Sequence, residues 1–502
     1  MGASKDKQRR KEMRNSGFDL ESKKELDAEQ SRKKQTRVVV LLIIAFAVVG
    51  AIVFVLNSNL LYRNMTALVV DGERFSITET NFFLRMADGD MDEAIDLAAR
   101  STLLRNRALE EGITLTAEDR EHADLTLQQI AEQVEMFRGQ PGAPSTVSGF
   151  IVAHYGRGMN QRILRQRVEF DLLGMRYVEQ FMESTQDSFT EEELEDFYQL
   201  HRADYDRIHY RVFEVPLDTG GLDPNMLEEL DISEGEDLGF GLAELNVEII
   251  ASLAEEGGEQ GFITGVQTQL EEWQAQDADR MTWRNVTRNE VVFNEYGTWL
   301  LDDARTPGDV EIWTGEESFF VLYFVGEDDN DYYRANVRHI LIMPDESVFF
   351  DEDGDFLDLD EEEIETLETT MFDTARTRAE EILEMWEAAG TEERFIELVR
   401  EYSDDYTEGD SDPGLYDELN RQTSFVPEFL DWAMDESRSP GDVEIVETMH
   451  GFHIMYFVGH SDRTHRHSLA SWDMAEEAYT EWIEAAVETV SSRTTFWARL
   501  AD

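Results

Sequence analysis

The chain has 502 residues, 41% hydrophobic and 11% aromatic, enough to build several cores, and no cysteine, which excludes disulfides, thiol nucleophiles and cysteine-based metal sites. Its formal charge is −65, unevenly placed: all seven lysines precede residue 35, and beyond residue 37 there are 32 arginines against 102 acidic residues, about −70. Such a body excludes nucleic-acid binding by phosphate neutralisation, and it suits high salt, which screens self-repulsion, or high pH, where arginine keeps its charge and lysine begins to lose it.

Residues 1–37 are polar, with 12 Lys/Arg against 7 Asp/Glu, and read as a disordered cytoplasmic tail. Residues 38–56, VVVLLIIAFAVVGAIVFVL, are 19 apolar or small residues without a charge. As a helix they rise about 28 Å, the thickness of a bilayer core. A cleaved signal peptide would have a shorter apolar run and a small-x-small site after it; NSNLLYRN follows instead. The stretch therefore reads as an uncleaved transmembrane helix. Arg32, Lys33, Lys34 and Arg37 precede it and place the N-terminus in the cytoplasm, leaving the acidic bulk on the periplasmic or extracytoplasmic side.

Residues 66–78 predict a hairpin turning at Asp71-Gly72. Helical patterning runs from Glu79 to about residue 200, interrupted by the loop GQPGAPSTVSG at 139–149. Thr116 with Asp119, and Thr190 with Glu193, mark two helix starts. Leu164, Val168, Leu172, Met175, Val178 and Met182 recur at helical spacing and predict the buried stripe of a bundle helix.

Further on, the chain repeats itself. PGDVEI stands at 307–312 and again at 440–445, YFVG at 323–326 and again at 456–459, both at an offset of 133 residues. Each copy opens on a strand, RIHYRVFEVPL from 207 and YRANVRHILIMP from 333, and closes on a strand pair. The second copy holds a long helix at about 361–388, a shorter one at 393–403, the loop DDYTEGDSDPG and a short helix at 426–434. Its last strand alternates, with His453, Met455 and Phe457 on one face and Phe452, Ile454 and Tyr456 on the other. A final amphipathic helix spans about 468–490.

VRHILI (337–342), FIELVREYSDD (395–405), FVPEFLDWAM (425–434) and SPGDVEIVETMHGFHIMYF (439–457) together, in that order, resemble the parvulin-type peptidyl-prolyl cis-trans isomerases. The wider layout resembles the SurA, PpiD and PrsA group of envelope folding factors, with PpiD closest in topology. The resemblance implies an α+β chain with a transmembrane helix at 38–56, a helical SurA-like chaperone region at 65–205, a degenerate parvulin-like domain at 207–327, a parvulin domain at 333–460 and a C-terminal segment, 461–502, whose helix is expected to pack on the chaperone region. It puts the family's catalytic positions on His339, Asp405 and His453, and the proline pocket on Phe425 and Phe429, with Pro413 where an aliphatic residue is usual. The family's glycine-rich turn stands here as SDPGL (411–415).

The implied activity is proline isomerisation on unfolded or newly exported polypeptides containing X–Pro bonds. No bond breaks, so no nucleophile, metal or cofactor is required. The rival readings are a membrane-anchored holdase with inactive parvulin folds, and an adaptor for secretion machinery. In the first copy, alignment of the opening strands sets Arg211 opposite His339, Phe320 opposite His453 and Tyr296 opposite Phe429, so the copy is expected to keep the fold without the activity. The acidic run DEDGDFLDLDEEE (351–363) misplaces its glycine for a calcium loop and argues against phosphorylated substrates, and HSDRTHRH (460–467) reads as a polar linker.

Overall fold

The computed structural model describes residues 59–217, 235–270, 272–351, 356–407 and 409–501, with 5, 7–12, 14, 43–50 and 53–54 near the N-terminus. The basic tail and the apolar run 38–56 thus lie largely outside the described residues; 43–50 and 53–54 are helical. Among the described residues no helix is long and apolar enough to cross a membrane. The chain forms two compact units, residues 1–187 with 476–502 and residues 188–475.

In the first unit, β1 (Thr66–Val70) and β2 (Glu73–Ser76) form the hairpin, and both turn residues, Asp71 and Gly72, take the left-handed backbone that a tight turn of this hand needs. Ser76 ends β2 and caps α1 (Ile77–Met86): its hydroxyl accepts from the Glu79 amide while the Glu79 carboxylate accepts from the Ser76 amide at 2.8 Å. Helices α2 (Met91–Glu110), α3 (Ala117–Met136), α4 (Val147–Tyr155) and α5 (Gln161–Gln186) follow. The buried face of α5 is Leu164, Arg167, Leu173, Gly174, Tyr177 and Met182. Met175, expected inside, is 65% exposed. The stripe is turned because Gly174 lets α2 come close: a Cβ there would lie 3.2 Å from the Leu104 side chain.

The last residues complete this unit. The C-terminal strand Ser492–Thr494 pairs antiparallel with β1, making β1 the middle strand of three. The Thr495 amide donates to the Ala67 carbonyl at 2.8 Å, and Trp497 packs with Tyr62, Ala67 and Ile77. The ring of Trp482 lies 5.5 Å from that of Tyr177.

The second unit holds two four-stranded antiparallel sheets of matching order, β4-β3-β6-β5 and β8-β7-β10-β9. The first is β3 (Arg207–Pro216), β4 (Trp283–Thr287), β5 (Val310–Thr314) and β6 (Ser318–Asp328). The second is β7 (Tyr333–Ile342), β8 (Leu415–Leu419), β9 (Val443–Thr448) and β10 (Gly451–Thr464). Likeness extends to side chains at the 133-residue offset. Arg305 lies 3.9 Å over Trp299 and Arg438 4.3 Å over Trp432. Asp309 caps the Thr306 amide at 2.9 Å and Asp442 the Ser439 amide at 2.7 Å.

The ladders correct the alignment of the opening strands. Arg211 pairs with Tyr323, and Arg338 pairs with Tyr456, its partner at the offset; Val212 pairs with Leu322, and His339 with Met455. Arg211 therefore corresponds to Arg338, and Val212 to His339. The sequence alignment was keyed on the prolines ending each strand. Pro216 is still paired, with Ser318, while Pro344 lies beyond the last paired residue, Ile342. A one-residue slip exchanges the two faces of a strand.

One face of the first sheet packs on α6 (Gly235–Gln267), two helical stretches meeting at Gly258. In the second sheet α7 (Glu361–Glu387) and α8 (Glu392–Tyr402) cover Ile340, Ile342, Phe452, Ile454 and Tyr456. The short helix α9 (Pro427–Ala433) covers the other face, at Val337, Met455 and Phe457.

Deletion of residues 491–502 strips a strand and the Trp497 anchor from the first unit. It is expected to destabilise that unit by about 3 kcal/mol or more. Thermal melting and dye binding to exposed apolar surface check this; a truncated chain that melts like the parent contradicts the assignment.

Candidate active site

The central strands β7 and β10 each present one side chain in two to each face. His339 pairs with Met455 and His453 with Leu341, so the two histidines are diagonal neighbours on the same face. Both are buried, at 3% and 6% exposure, and their Nδ1 atoms are 3.1 Å apart. The rings are close to parallel, at 18°.

Asp405 reaches this pair through the run Ser403-Asp404-Asp405 that follows α8. The Ser403 hydroxyl accepts from the Leu341 amide at 3.0 Å, the Asp404 amide donates to the Leu341 carbonyl at 2.9 Å, and the Asp404 carboxylate accepts from the Met343 amide at 2.7 Å. The run is stitched along the end of β7, which sets Asp405 Oδ2 2.8 Å from His339 Nε2, while the Ser403 hydroxyl donates to Asp405 Oδ1 at 2.5 Å. At the far end, Thr448 Oγ1 lies 3.0 Å from His453 Nε2 and accepts from the His450 amide at 3.1 Å.

A continuous chain of polar contacts thus runs Ser403–Asp405–His339–His453–Thr448. Asp405 and Thr448 stand at the outer Nε2 atoms of His339 and His453, and the two Nδ1 atoms face each other, so a single proton between them serves as the link. Burial, then the neighbouring His339, pushes the His453 pKa down to about 4. Burial would raise that of Asp405, but His339 and the Ser403 hydroxyl outweigh it and hold the carboxyl below its ordinary range.

An apolar wall stands over the pair. The ring of Phe429, 1% exposed, meets both imidazoles edge-on at 5.4 Å and stacks on Phe425 at 4.8 Å. Tyr416 is edge-on to Phe425 at 5.0 Å and 4.9 Å from His339. It had no place in the sequence reading, although β8 pairs it with Val337 and so turns it to the face of His339. Pro413, also expected at the pocket, is buried, and its carbonyl accepts from Arg338 at 3.0 Å. Ser403 and Thr448 were also missed, since a hydroxyl beside an acidic run or at a hairpin end carries no signal of its own. Gly414, with φ +68°, has a reason to be glycine: a Cβ would lie 2.7 Å from the His339 carbonyl oxygen, and the Gly414 carbonyl accepts from the His339 amide at 3.0 Å.

The first sheet has Val212 and Phe320 where the histidines stand, and the ring of Tyr296 lies 5.4 Å from that of Phe320. Among the described residues no cluster of His, Asp and Glu could hold a metal. Residues 352–355 of the acidic run 351–363 lie outside those described; residues 460–467, expected as a polar linker, instead continue β10 to Thr464 and open the helix His465–Glu488, where His467 meets Glu195 at 3.2 Å.

Comparison with known proteins places a family in this segment. Residues 339–459 match the rotamase family, described as the PPIC-type PPIASE domain. No curated protein sequence matches the chain. Among solved structures, the chain is similar to the peptidylprolyl isomerase PrsA from Bacillus anthracis, at 13% identity and TM-score 0.18, covering 49% of this chain and 86% of that one. It is also similar to a chain from a Campylobacter jejuni structure reporting two structurally related SurA-like chaperones, at 14% identity and TM-score 0.19, covering 53% of this chain and 82% of that one.

The low pKa of His453 fixes a sign. Between about 4 and the ordinary 6.5 the folded chain binds fewer protons at this ring than the unfolded chain. This contribution to stability is complete above pH 6.5 and falls as pH drops through 4, by up to about 3 kcal/mol. Unfolding free energy measured against pH is expected to slope less over that window in His453→Leu than in the parent; parallel curves would show that His453 titrates normally.

Proposed function

We propose that the parvulin-type peptidyl-prolyl cis-trans isomerase domain at residues 339–459 is the catalytic part of a membrane-anchored folding factor for exported proteins. In this reading residues 38–56 span the cytoplasmic membrane, residues 1–37 stay in the cytoplasm and the acidic body works outside it, a topology like that of PpiD. The basic residues before the apolar run support this orientation. The substrates are unfolded polypeptides with X–Pro bonds, held by the helical region and by the first, non-catalytic repeat.

The observation that carries the catalytic reading is the His339–His453 contact, backed by Asp405 and lying under the Phe425–Phe429 pair. An X–Pro bond turns slowly because rotation sacrifices amide resonance, a barrier of about 18–20 kcal/mol. A catalyst must hold the twisted amide better than either planar form. The aromatic wall of Phe425, Phe429 and Tyr416 takes the proline ring. The imidazole pair forms the floor, with its tautomers fixed by Asp405 at one end and Thr448 at the other. The twisted amide has a pyramidal nitrogen and a less polarised carbonyl, so a site poorer in water than bulk solvent favours it. Asp405 acts through His339 by holding its Nε2 proton.

With a proline-containing peptide as substrate, Asp405→Ala and His453→Ala are expected to lower kcat/KM by about 100-fold. Phe429→Ala is expected to act mainly on KM. Parental rates in the first two would end the site assignment. If Val212 and Phe320 mark a silent repeat, no residual activity will be traceable to residues 207–327. For the anchor, the full chain is expected in the membrane fraction and a chain lacking 38–56 in the soluble fraction; an unchanged distribution would remove the anchor.

A further inference from the structure

Arg338 precedes His339 and points to the other face of β7, toward α7 and α8. It is 5% exposed, and three groups hold its guanidinium. Nε donates to Glu392 at 2.8 Å, Nη2 lies 2.7 Å from Asp412, and Nη1 donates to the Pro413 carbonyl at 3.0 Å. Glu392 is the first residue of α8, whose far end leads into Ser403 and Asp405. Asp412 and Pro413 close the loop that Asp405 opens, just before Tyr416 and β8. One buried cation therefore grips the start of the helix and the end of the loop between which Asp405 is slung.

The first repeat keeps the same device. Arg211 is 6% exposed; its Nε donates to Glu259 at 2.7 Å, and Nη2 meets Asp279 at 2.5 Å. Glu259 and Asp279 are the residues 133 positions before Glu392 and Asp412. The clamp has survived where both histidines have not, so part of its role is to hold the fold. In the second repeat alone, the loop it holds ends at the candidate site.

We infer that Arg338 is a positioning residue for the isomerase site, acting through Asp405: it fixes the loop 403–415 so that the carboxylate meets His339. This rests on the catalytic reading above. A carboxylate free to drift by an ångström loses the tautomer control that a 2.8 Å contact gives. Removing the guanidinium takes away a group that joins Glu392 at the start of α8 to Asp412 at the end of the loop.

The test is a double-mutant cycle in the full chain, with a proline tetrapeptide as substrate and rates scaled to the folded fraction. Arg338→Gln is expected to lower kcat about 10-fold with KM little changed, and Arg338→Lys to recover part of the loss. In the Asp405→Ala background Arg338→Gln should cost nothing more. Arg211→Gln, which breaks the twin clamp, should lower the melting temperature and leave the rate alone. The 15N shifts of the His339 and His453 rings should move in Arg338→Gln and stay put in Arg211→Gln. If Arg338→Gln does not fold, Asp412→Asn carries the same cycle with about a 3-fold effect, because Arg338 keeps Glu392 and the Pro413 carbonyl. A loss that recurs in full without Asp405, or a parental rate in Arg338→Gln, overturns the inference. A parental rate in Asp405→Ala would instead remove the catalytic reading beneath it.

Discussion

The antiparallel pairing of β7 with β10 is the constraint on which the second repeat depends. Each strand is central in its sheet and buried on both faces, so its register is specified twice: by the apolar residues under α7 and α8, and by those under α9. With the register fixed, His339 and His453 have no choice but to meet on one face. Everything else at the site is attached to this pair of strands. The Ser403–Asp405 run hydrogen-bonds along the end of β7, Thr448 sits at the hairpin leading into β10, and β8 brings Tyr416 alongside Val337. A buried chain of polar groups is costly unless its members stay in contact, and the strand register is what keeps these at 2.8–3.1 Å from one another.

Much of this was legible in the residues. The strand alternation of residues 452–457, the caps at Thr116 and Thr190, the hairpin at Asp71-Gly72 and the helices of the second repeat all lie where spacing and turn chemistry place them. These signals are local, and local rules suffice for them. What the residues concealed is relational. The slip of one position between β3 and β7 arose because a proline looks the same whether its strand is still paired or has just ended. Met175 is outward because a glycine one position earlier let a neighbouring helix decide where the seam lies. Tyr416 carried no signal because β8 belongs to the site face only through its partner strand. The hydroxyls of Ser403 and Thr448 gain meaning only from the imidazoles and carboxylate they touch.

The repeat separates what a fold needs from what a reaction needs. Between the two copies the cation–π pairs, the aspartate turn caps and the buried arginine clamp are kept, while valine and phenylalanine stand where histidines do. The kept features hold turns, helices and loops in place; the lost ones lie on the sheet face under α9. Those buried arginines also fit a chain whose body carries about −70: each guanidinium, itself buried, is flanked by two carboxylates that still reach solvent.

The sheet of the first unit has a temporal consequence. Its middle strand, β1, begins at residue 66, yet one of its edges is covered only by residues 492–494. A chain delivered from its N-terminus presents β1 early and supplies that partner last. Through the whole of delivery the strand keeps an open edge, the kind of surface that pairs with any extended chain nearby. The intervening repeats contain all their own strands and can close as they arrive. The part of the molecule that emerges first is the part that is finished last.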